Sequence, residues 1–584
     1  MRDKQVTIED GWTPDEDQLT YISSSISSCQ VVIAGPGSGK TTAAVQRARQ
    51  IDAEIKNSAK AVDPPAILFI SFSRTSIRAA LESIGTDLRD FEVEFQAQTI
   101  DSLAYEICRY DLRLDARTLE NTSFSDRLRF ATNAAAELKS DLTYDLRHVF
   151  IDEAQDISPA QAIFLGEYIR HLPADCGVTV FADPDQEIYR FLGGETEPGQ
   201  PTYWENFLRQ IEGLKCWQFV SLRGQYRAQT PTMHKTHNQL AAIRQESDKT
   251  QKLRVLDSLQ SRLPTSTASR LAEAAEKRDI SAALLSRTNL DVLLHFDNLS
   301  RLGRRNLSPV TTGTSHKRLP RWVAEVWPRI PHPQFNSVEL AEALETAMVS
   351  GDEWESIEEL NLDFPRTMSW EDVYYAHIFS DSHATPRRAN GQLIMSTVHQ
   401  SKGLEFDIVG VTDPSTFIHS TPIETEVLFV ALSRAKNMTY SIPSVRRTNT
   451  FYEKKGNRWI CGEYRGNRRV FSSLSLADGD IWVPDALSSQ CHEIISEART
   501  GDLITFERIS TRSTPSFRCI LNDNVIGETS PDLGEFLQKL LPRSGRISLG
   551  DVPIGKVSSH FIRDTDRPRP ILIPSPLGFA EIEY

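Results

Sequence analysis

Residues 33–42 read Ile33-Ala34-Gly35-Pro36-Gly37-Ser38-Gly39-Lys40-Thr41-Thr42. Gly39-Lys40-Thr41 is the G-K-T end of the pattern G-x-x-x-x-G-K-[ST]; Ala34 stands in the slot of its first glycine and Gly35 comes one place late. Such a loop aims successive backbone N–H groups at a phosphate, and the following helix N-terminus adds its dipole. Alanine in the first slot preserves this if its dihedrals are ordinary, and Gly35, Gly37 and Gly39 remain for the tight path. Upstream, Val31-Val32-Ile33 is an apolar strand; downstream, Thr41 to Gln50 reads as helix. The strand–loop–helix context therefore favours a phosphate cradle over a chance Gly-Ser-Gly turn. The expected nucleotide-binding set is Ala34, Gly35, Pro36, Gly37, Ser38, Gly39, Lys40, Thr41 and Thr42. Lys40 is expected to reach the β- and γ-phosphates, and Thr41 to ligate Mg²⁺.

Outward from the loop, the chain supplies matching chemistry. His148-Val149-Phe150-Ile151 is an apolar strand that ends in Asp152-Glu153-Ala154-Gln155-Asp156. In that position Asp152 can hold Mg²⁺, mostly through water, and Glu153 can orient and deprotonate an attacking water. An Asp-Glu pair at a strand end is common by itself; Lys40 upstream gives this one its meaning. Val178 to Ala182 is a further strand, followed by Asp183-Pro184-Asp185-Gln186-Glu187-Ile188-Tyr189-Arg190-Phe191. Polar residues at strand C-termini face the nucleotide crevice of an open α/β sheet, which suits Gln186 to a terminal phosphate. Tyr189 and Phe191, two apart, either present rings for base stacking or pack under the loop.

The remaining segments fit around these. Thr13-Pro14, with Glu16 three residues on, reads as a capping box opening a helix that holds Gln18. Residues 67–72 form an apolar strand, 98–102 a short strand turning into a helix, and 104–147 a charged helical excursion. Glycines and prolines at 193–201 suggest a boundary near 193–205. A charged helix spans 245–280, a strand 280–285, and an inserted segment with basic and then acidic runs 301–389. Strands follow at 393–397 and 408–411, and a helix from Glu424 to Met438 is expected to project Arg434 and Lys436 from its last turns. Beyond residue 451 alternating runs and turn signals such as Asn522-Asp523-Asn524 indicate β structure, and the proline-rich stretch 568–576 is expected to lie extended over a surface.

With 584 residues, 39% hydrophobic and 25% charged, the chain can bury several cores. No apolar run approaches the roughly 20 residues of a membrane span, and the first residues carry no signal-peptide core, so a cytoplasmic location is expected. Seven cysteines lie scattered without a C-x-x-C pair, which argues against a zinc or iron–sulfur site. A net charge of -14 counts against nucleic acid as a partner, although a local positive groove suffices for binding.

The ordered set of motifs resembles superfamily 1 DNA helicases of the UvrD/Rep/PcrA type over roughly residues 13–440. AGPGSGKT, SFSRTSIRAA, TIDSLA, DEAQD, ADPDQEIYRF, LRGQYR, TVHQSKGLEFDIV and VALSRAK carry the resemblance. It implies an α/β fold with two RecA-like P-loop motor domains, short inserted subdomains and a small C-terminal β-rich domain. The implied boundaries are 1–103 and 149–205 for the first motor domain, 104–148 for its insertion, 206–300 and 390–450 for the second, 301–389 for its insertion, and 451–584 for the last domain. By the same resemblance Gln18 reads adenine, Tyr226 stacks on it, Gln186 senses the γ-phosphate, and Glu405 stabilises the ribose side. Arg227 and Arg434 bring positive charge from the second motor domain. Phe72, Arg74, Thr99, Tyr189, Phe191, Thr397 and His399 fall in the DNA-contacting motifs. Departures from the pattern, including Phe191 for tryptophan and Leu192 for arginine, spare Lys40, Glu153 and Arg434.

The implied activity is that of an ATP- and Mg²⁺-dependent 3′–5′ DNA helicase or single-strand translocase serving DNA repair, recombination or phage defence. Its partners would be single-stranded or tailed duplex DNA and a nuclease or other repair or defence protein. One alternative is a motor subunit with little unwinding of its own, which the short insertions favour. Another is a nucleotide switch without nucleic acid, favoured only by the net charge.

Overall fold

Six parallel strands carry the phosphate loop: β1 (Cys29–Ala34), β2 (Ala66–Ser71), β3 (Glu94–Thr99), β4 (Leu146–Asp152), β5 (Gly177–Ala182) and β6 (Trp217–Leu222). Their order is β3-β2-β4-β5-β1-β6, and each neighbouring pair runs parallel. β2 and β5 are buried along their whole length, as their near-continuous apolar sequences require of strands covered on both faces. Because the strands are parallel, the segments that follow β1, β4 and β5 all leave the same edge of the sheet. The phosphate loop, the carboxylates after Ile151 and the Asp183–Gln186 turn therefore meet in sequence-distant register. The computed structural model describes residues 13–56, 66–72, 77, 93–115, 118–119, 122–137, 146–189, 200–244, 248–310, 318–347, 368–371, 373–374, 390–419, 424–466, 468–484, 488–509, 514–541, 546–562 and 569–584.

A second sheet, of order β13-β12-β7-β11-β8, contains β7 (Ala282–Ser286), β8 (Leu307–Pro309), β11 (Leu393–Thr397), β12 (Phe406–Thr412) and β13 (Ala435–Ile442). Within the inserted segment, β9 (Gln334–Phe335) pairs antiparallel with β10 (Met368–Ser369) over a core that includes Trp322, Phe335 and Trp370. The last part of the chain is β-rich. One sheet there is β14 (Thr450–Lys455), β15 (Arg458–Arg465), β16 (Arg468–Ser475), β24 (Phe579–Glu583) and β21 (Ser548–Leu549). The other is β17 (Ile481–Trp482), β20 (Asn524–Thr529), β19 (Phe517–Leu521), β18 (Leu503–Arg508), β22 (Val552–Ile562) and β23 (Arg569–Pro576). The expected turn at Asn522-Asp523 is present: both residues have positive φ, 50° and 62°, and join β19 to β20 as a tight hairpin.

The chain divides into two compact units: Met1–Leu263 with Ser401–Glu405 and Pro414–Thr439, and Pro264–Gln400 with Phe406–Asp413 and Tyr440–Tyr584. Four local expectations need correction. The first sheet runs past the boundary drawn at 205, because β6 pairs with β1 from Cys29↔Trp217 to Ala34↔Leu222. The first helix is Glu16–Ile22 with Asp15 as its N-cap: the Asp15 carboxylate accepts from Gln18 N–H, and the Gln18 amide closes the box from inside, leaving Thr13-Pro14 outside it. The helix expected over 424–438 ends at Leu432, where the Ser433 hydroxyl donates to the Val430 carbonyl; the chain then becomes β13. An apolar run of this length does not separate helix from strand by periodicity. The proline-rich stretch is a strand, β23, buried in all but its first residue; it ends the sheet order, where missing proline N–H groups leave no ladder bond unmade.

Candidate active site

Gly37 and Gly39 give the loop its path, with φ of 75° and 77°, a region that side-chain-bearing residues enter only with strain. Ser38 closes the turn, its N–H and its hydroxyl both donating to the Gly35 carbonyl at 3.2 and 2.8 Å. Ala34 is the last residue of β1, in ordinary extended backbone, so alanine in that slot introduces no strain. Gly35 has a different constraint: a Cβ there would lie 2.1 Å from Arg244 Nη1. Lys40 then opens the helix Lys40–Lys56, and Ala43 N–H donates to the Gly39 carbonyl at 2.8 Å to join the helix to the loop.

Lys40 Nζ sits 2.9 Å from Asp152 Oδ1 and 2.6 Å from Glu153 Oε1. Glu153 occupies the left-handed region, φ 53° and ψ 39°, at the point where β4 turns into the Ala154–Asp156 helical turn. A non-glycine residue held there is a strained position of the kind that collects at functional sites. Its other oxygen accepts from the Gln155 amide and lies 3.7 Å from Lys402 Nζ. Lys402 also pairs with Asp156 and donates to the Gln186 carbonyl. Gln186 in turn donates to Asp183 Oδ2 at 2.6 Å and accepts from Arg434 Nη2 at 2.9 Å. Asp183 meets Arg244 at 3.2 Å, and Asp185 meets Lys252 at 2.7 Å.

Charge states follow from burial and neighbours. Burial opposes the charged form of Glu153, but Lys40 and Lys402 outweigh it and hold the carboxyl well below the usual range. Burial likewise works against Lys40, and Asp152 and Glu153 reverse it, so the ammonium holds its proton more tightly than usual. Asp152 is raised by burial, and Asp156 is pushed up by burial to about 7 against the pull of Lys402. Burial and the neighbouring Arg227 bring Arg434 down to about 9.

The opposite rim is positive. Arg227 donates to Glu405 Oε1 at 2.9 and 2.7 Å and to the Ser433 carbonyl at 2.6 Å. Burial would raise Glu405, but Arg227 and Lys436 bring it down to about 2. Arg227 and Arg434, expected from a second motor domain, lie in the same compact unit as Lys40 in this structure. Beside the loop, Tyr226 N–H donates to the Gly37 carbonyl at 2.7 Å and its hydroxyl to Asp15 Oδ2 at 2.6 Å. Its ring stays 52% exposed. Gln18 is buried, its amide donating to the Ser38 carbonyl at 3.2 Å while its oxygen accepts from Asp15 N–H.

Among the residues expected on the DNA side, the Phe72 and Tyr189 rings meet at 5.1 Å with their planes tilted by 44°, and Lys402 Nζ lies 5.6 Å from the Tyr189 ring centre. Thr99 caps the helix Ile100–Glu106, its hydroxyl accepting from Ser102 N–H. Thr397 and His399 belong to the second unit, where Thr397 donates to Gln400 Oε1 at 3.0 Å. Arg74 and Phe191 lie outside the described residues. Sequence reasoning missed Lys402, Asp156, Asp183, Asp15 and Arg244. The first four sit inside or next to motifs quoted for other residues; Arg244, at the end of the helix Pro231–Ile243, carries no local signal.

Two protein-family models match the chain: an AAA domain over residues 18–192 and a UvrD-like helicase C-terminal domain over residues 393–440. The architecture is that of a superfamily 1 helicase of the UvrD type. The AAA domain with its phosphate loop makes the chain an ATP hydrolase. No curated protein matches it. Solved structures similar to it include the Bacteroides Pif1 helicase in complex with ADP-AlF3 and ssDNA, at 13% identity over 75% of this chain and 94% of that one, TM-score 0.35. Pif1 helicase from Candida albicans is similar at 11% identity over 74% of this chain and 95% of that one, TM-score 0.36. Likenesses this loose bear on neither substrate nor polarity. Among the described residues, no helix is long and apolar enough to cross a membrane.

The site's fit to a metal is specific in kind. Among the described residues no group of three or more His, Cys, Asp or Glu is arranged to hold an ion unaided. Asp152 is buried beside the loop that ends in Thr41, its Oδ1 held by Lys40 at 2.9 Å. One carboxylate and one hydroxyl suit an ion held mainly by water and nucleotide oxygens, as Mg²⁺ is.

Proposed function

We propose that the chain is an ATP- and Mg²⁺-dependent helicase or translocase that moves 3′ to 5′ along single-stranded DNA, in repair, recombination or phage defence. The observation that carries this reading is the convergence on one phosphate loop of residues from four distant segments: Glu153, Gln186, Lys402 and Arg434. Lys40 and the backbone of residues 35–41 would hold the β- and γ-phosphates. Mg²⁺, held by Thr41 and Asp152, would neutralise charge building up between those phosphates.

Without nucleotide, Lys40 pairs with Glu153 and keeps it strongly ionised. A γ-phosphate competes for Lys40, and once the ammonium turns to it Glu153 becomes a better base. Glu153 then orients a water in line with the γ-phosphorus and takes its proton, while ADP leaves. Gln186 reads the same phosphate and reports through its bond to Arg434. Arg434 and Arg227 stabilise the transferring phosphoryl charge. The exposed Tyr226 ring is the surface offered to the base.

The 3′–5′ polarity rests on the motif resemblance, as does DNA as substrate. Displacement of a labelled strand from partial duplexes with a 3′ or a 5′ single-stranded tail tests both. Unwinding that requires the 3′ tail is expected; a strict 5′ requirement would reverse the polarity. Failure on every tail, with ATP still turned over, would favour a motor that unwinds only with a partner.

A further inference from the structure

The meander β14–β15–β16 differs in charge from the rest of the molecule. Residues 446–469 hold eight Lys and Arg against two Glu, in a chain whose net charge is -14. Part of this charge is spoken for within the fold. Arg446 pairs with Asp291 at 2.7 Å, and Arg458 pairs with Asp480. Lys454 and Lys455 lie at the β14–β15 turn, and Arg465, Arg468 and Arg469 lie where β15 turns into β16.

There the ladder places Tyr464 opposite Arg469 and Arg465 directly opposite Arg468, and Gly466 turns the chain at φ 61°. Directly opposed like charges weaken a strand pair. Arg465 and Arg468 are both exposed, so neither is drawn in by the core. Arg447, also exposed, enters β14 at the same end, because Thr450 pairs with Glu463.

An aromatic platform adjoins this charge. Tyr464 is 54% exposed, and its ring meets Phe451 edge-on at 5.4 Å; Phe451 meets Phe471 at 5.9 Å. The Phe451 ring closes over Gly462, where a Cβ would lie 2.7 Å from Phe451 Cζ. Arg469 lies 5.0 Å from the Phe451 ring and 5.8 Å from that of Tyr464, and is fixed by Glu453 at 2.8 Å. Successive strand residues face opposite sides, so Tyr464 and Arg469 share one face of the tip and Arg465 and Arg468 the other. An exposed ring and exposed guanidinium groups meeting at one tip match an unpaired base and its flanking phosphates.

We propose that this hairpin tip, formed by Tyr464, Arg465, Arg468 and Arg469, is a nucleic-acid contact separate from the ATP site. Its arginines hold the phosphodiester backbone and Tyr464 stacks on an unpaired base. The identity of the polyanion rests on DNA being the substrate of the motor; the positive, ring-bearing tip does not.

The test is fluorescence anisotropy of the full chain, without nucleotide, on a single-stranded oligonucleotide and a blunt duplex across a salt series. Losing two phosphate contacts in the pair Arg465→Gln/Arg468→Gln should flatten the slope of log K against log salt by about 1.4 on the single strand. Tyr464→Ala should weaken single-strand binding by roughly 5- to 100-fold and leave the duplex unchanged. The arginine pair variant should melt no lower than wild type, because it removes an opposed like-charge pair. A double variant that keeps both the wild-type slope and affinity, in a chain whose ATPase responds to DNA, overturns the hairpin alone. A wild-type chain that binds neither strand overturns the hairpin and the DNA reading together.

Discussion

Lys402→Met removes a charge and nearly preserves side-chain volume at the point where Asp156, Glu153 and the Gln186 carbonyl meet. Both Lys402 and Asp156 are buried, so the variant leaves a carboxylate in a low-dielectric site without its counter-ion. Breaking a buried pair from one side costs about 3–5 kcal/mol. At roughly 2–4 °C per kcal/mol for a unit of this size, the melting midpoint should fall by about 6–20 °C. The penalty must depend on pH. Burial already raises Asp156 to about 7 with Lys402 present, and removing Lys402 raises it further. A folded pKa above the unfolded value adds stability below the unfolded value, and that stability is lost as pH rises through the folded one. The variant should therefore lose more at pH 8 than at pH 6, where Asp156 takes up a proton. Asp156→Asn in the Lys402→Met background should recover most of the loss, because neither charge then remains. Differential scanning fluorimetry of the four proteins of this cycle, at both pH values, gives the coupling directly. A midpoint within about 2 °C of wild type at pH 8, or a loss that is the same at both pH values, would refute the buried-pair reasoning.

Three further outcomes are expected from the same geometry. Arg434→Lys keeps the charge but cannot serve both the Gln186 amide oxygen and the Leu404 carbonyl; turnover should fall by about 10³-fold with nucleotide affinity within a few-fold, as read by steady-state kinetics and a fluorescent ATP analogue. Gly37→Ala places a Cβ at φ 75° and 2.2 Å from Gln225 Oε1, so isothermal titration should show ATP binding weakened at least tenfold. His148 is buried neutral, its Nδ1–H donating to the Ile26 carbonyl and its Nε2 accepting from Thr179, and burial lowers its pKa to about 3. Its unfolded form takes a proton near pH 6.5, so stability is present above that value and lost as pH falls; at pH 5 the loss is about 2 kcal/mol, and His148→Gln should reduce the acid shift of the unfolding midpoint.

The parts of the site that rest on local pattern were legible in the chain. An apolar strand, a glycine-rich loop and a helix in succession gave Lys40; apolar strands ending in acidic or amide side chains gave Asp152, Glu153 and Gln186. Parallel strands buried on both faces produce such short, near-continuous apolar runs. Residues whose role depends on a partner far away in sequence were not legible. Lys402 is one cation within a polar run, and only Asp156, in contact with it through the fold, gives it significance. Gln18 carried no local signal beyond its place in a helix, and only the fold shows the Ser38 carbonyl and the Asp15 N–H that bury it. The stretch 424–438 read as one helix because the apolar run leads straight into the break at Ser433, and only the cap and the strand beyond it reveal the change. The prolines of β23 suggested an exposed strap because their tolerance at a sheet edge depends on strand order, which composition does not carry. The basic tip of β15–β16 was present as letters, but its meaning lies in the register that sets Arg465 opposite Arg468.

The central claim is that ATP hydrolysis at Lys40 and Glu153 is coupled to a nucleic-acid strand. Steady-state ATP turnover by the full chain, with and without single-stranded DNA and over a salt series, tests it most directly, with Glu153→Gln run alongside. Turnover should rise with single-stranded DNA, the stimulation should weaken as salt increases, and Glu153→Gln should abolish turnover while ATP still binds. Wild-type turnover indifferent to DNA and salt, or a Glu153→Gln chain that hydrolyses ATP at the wild-type rate, would contradict it.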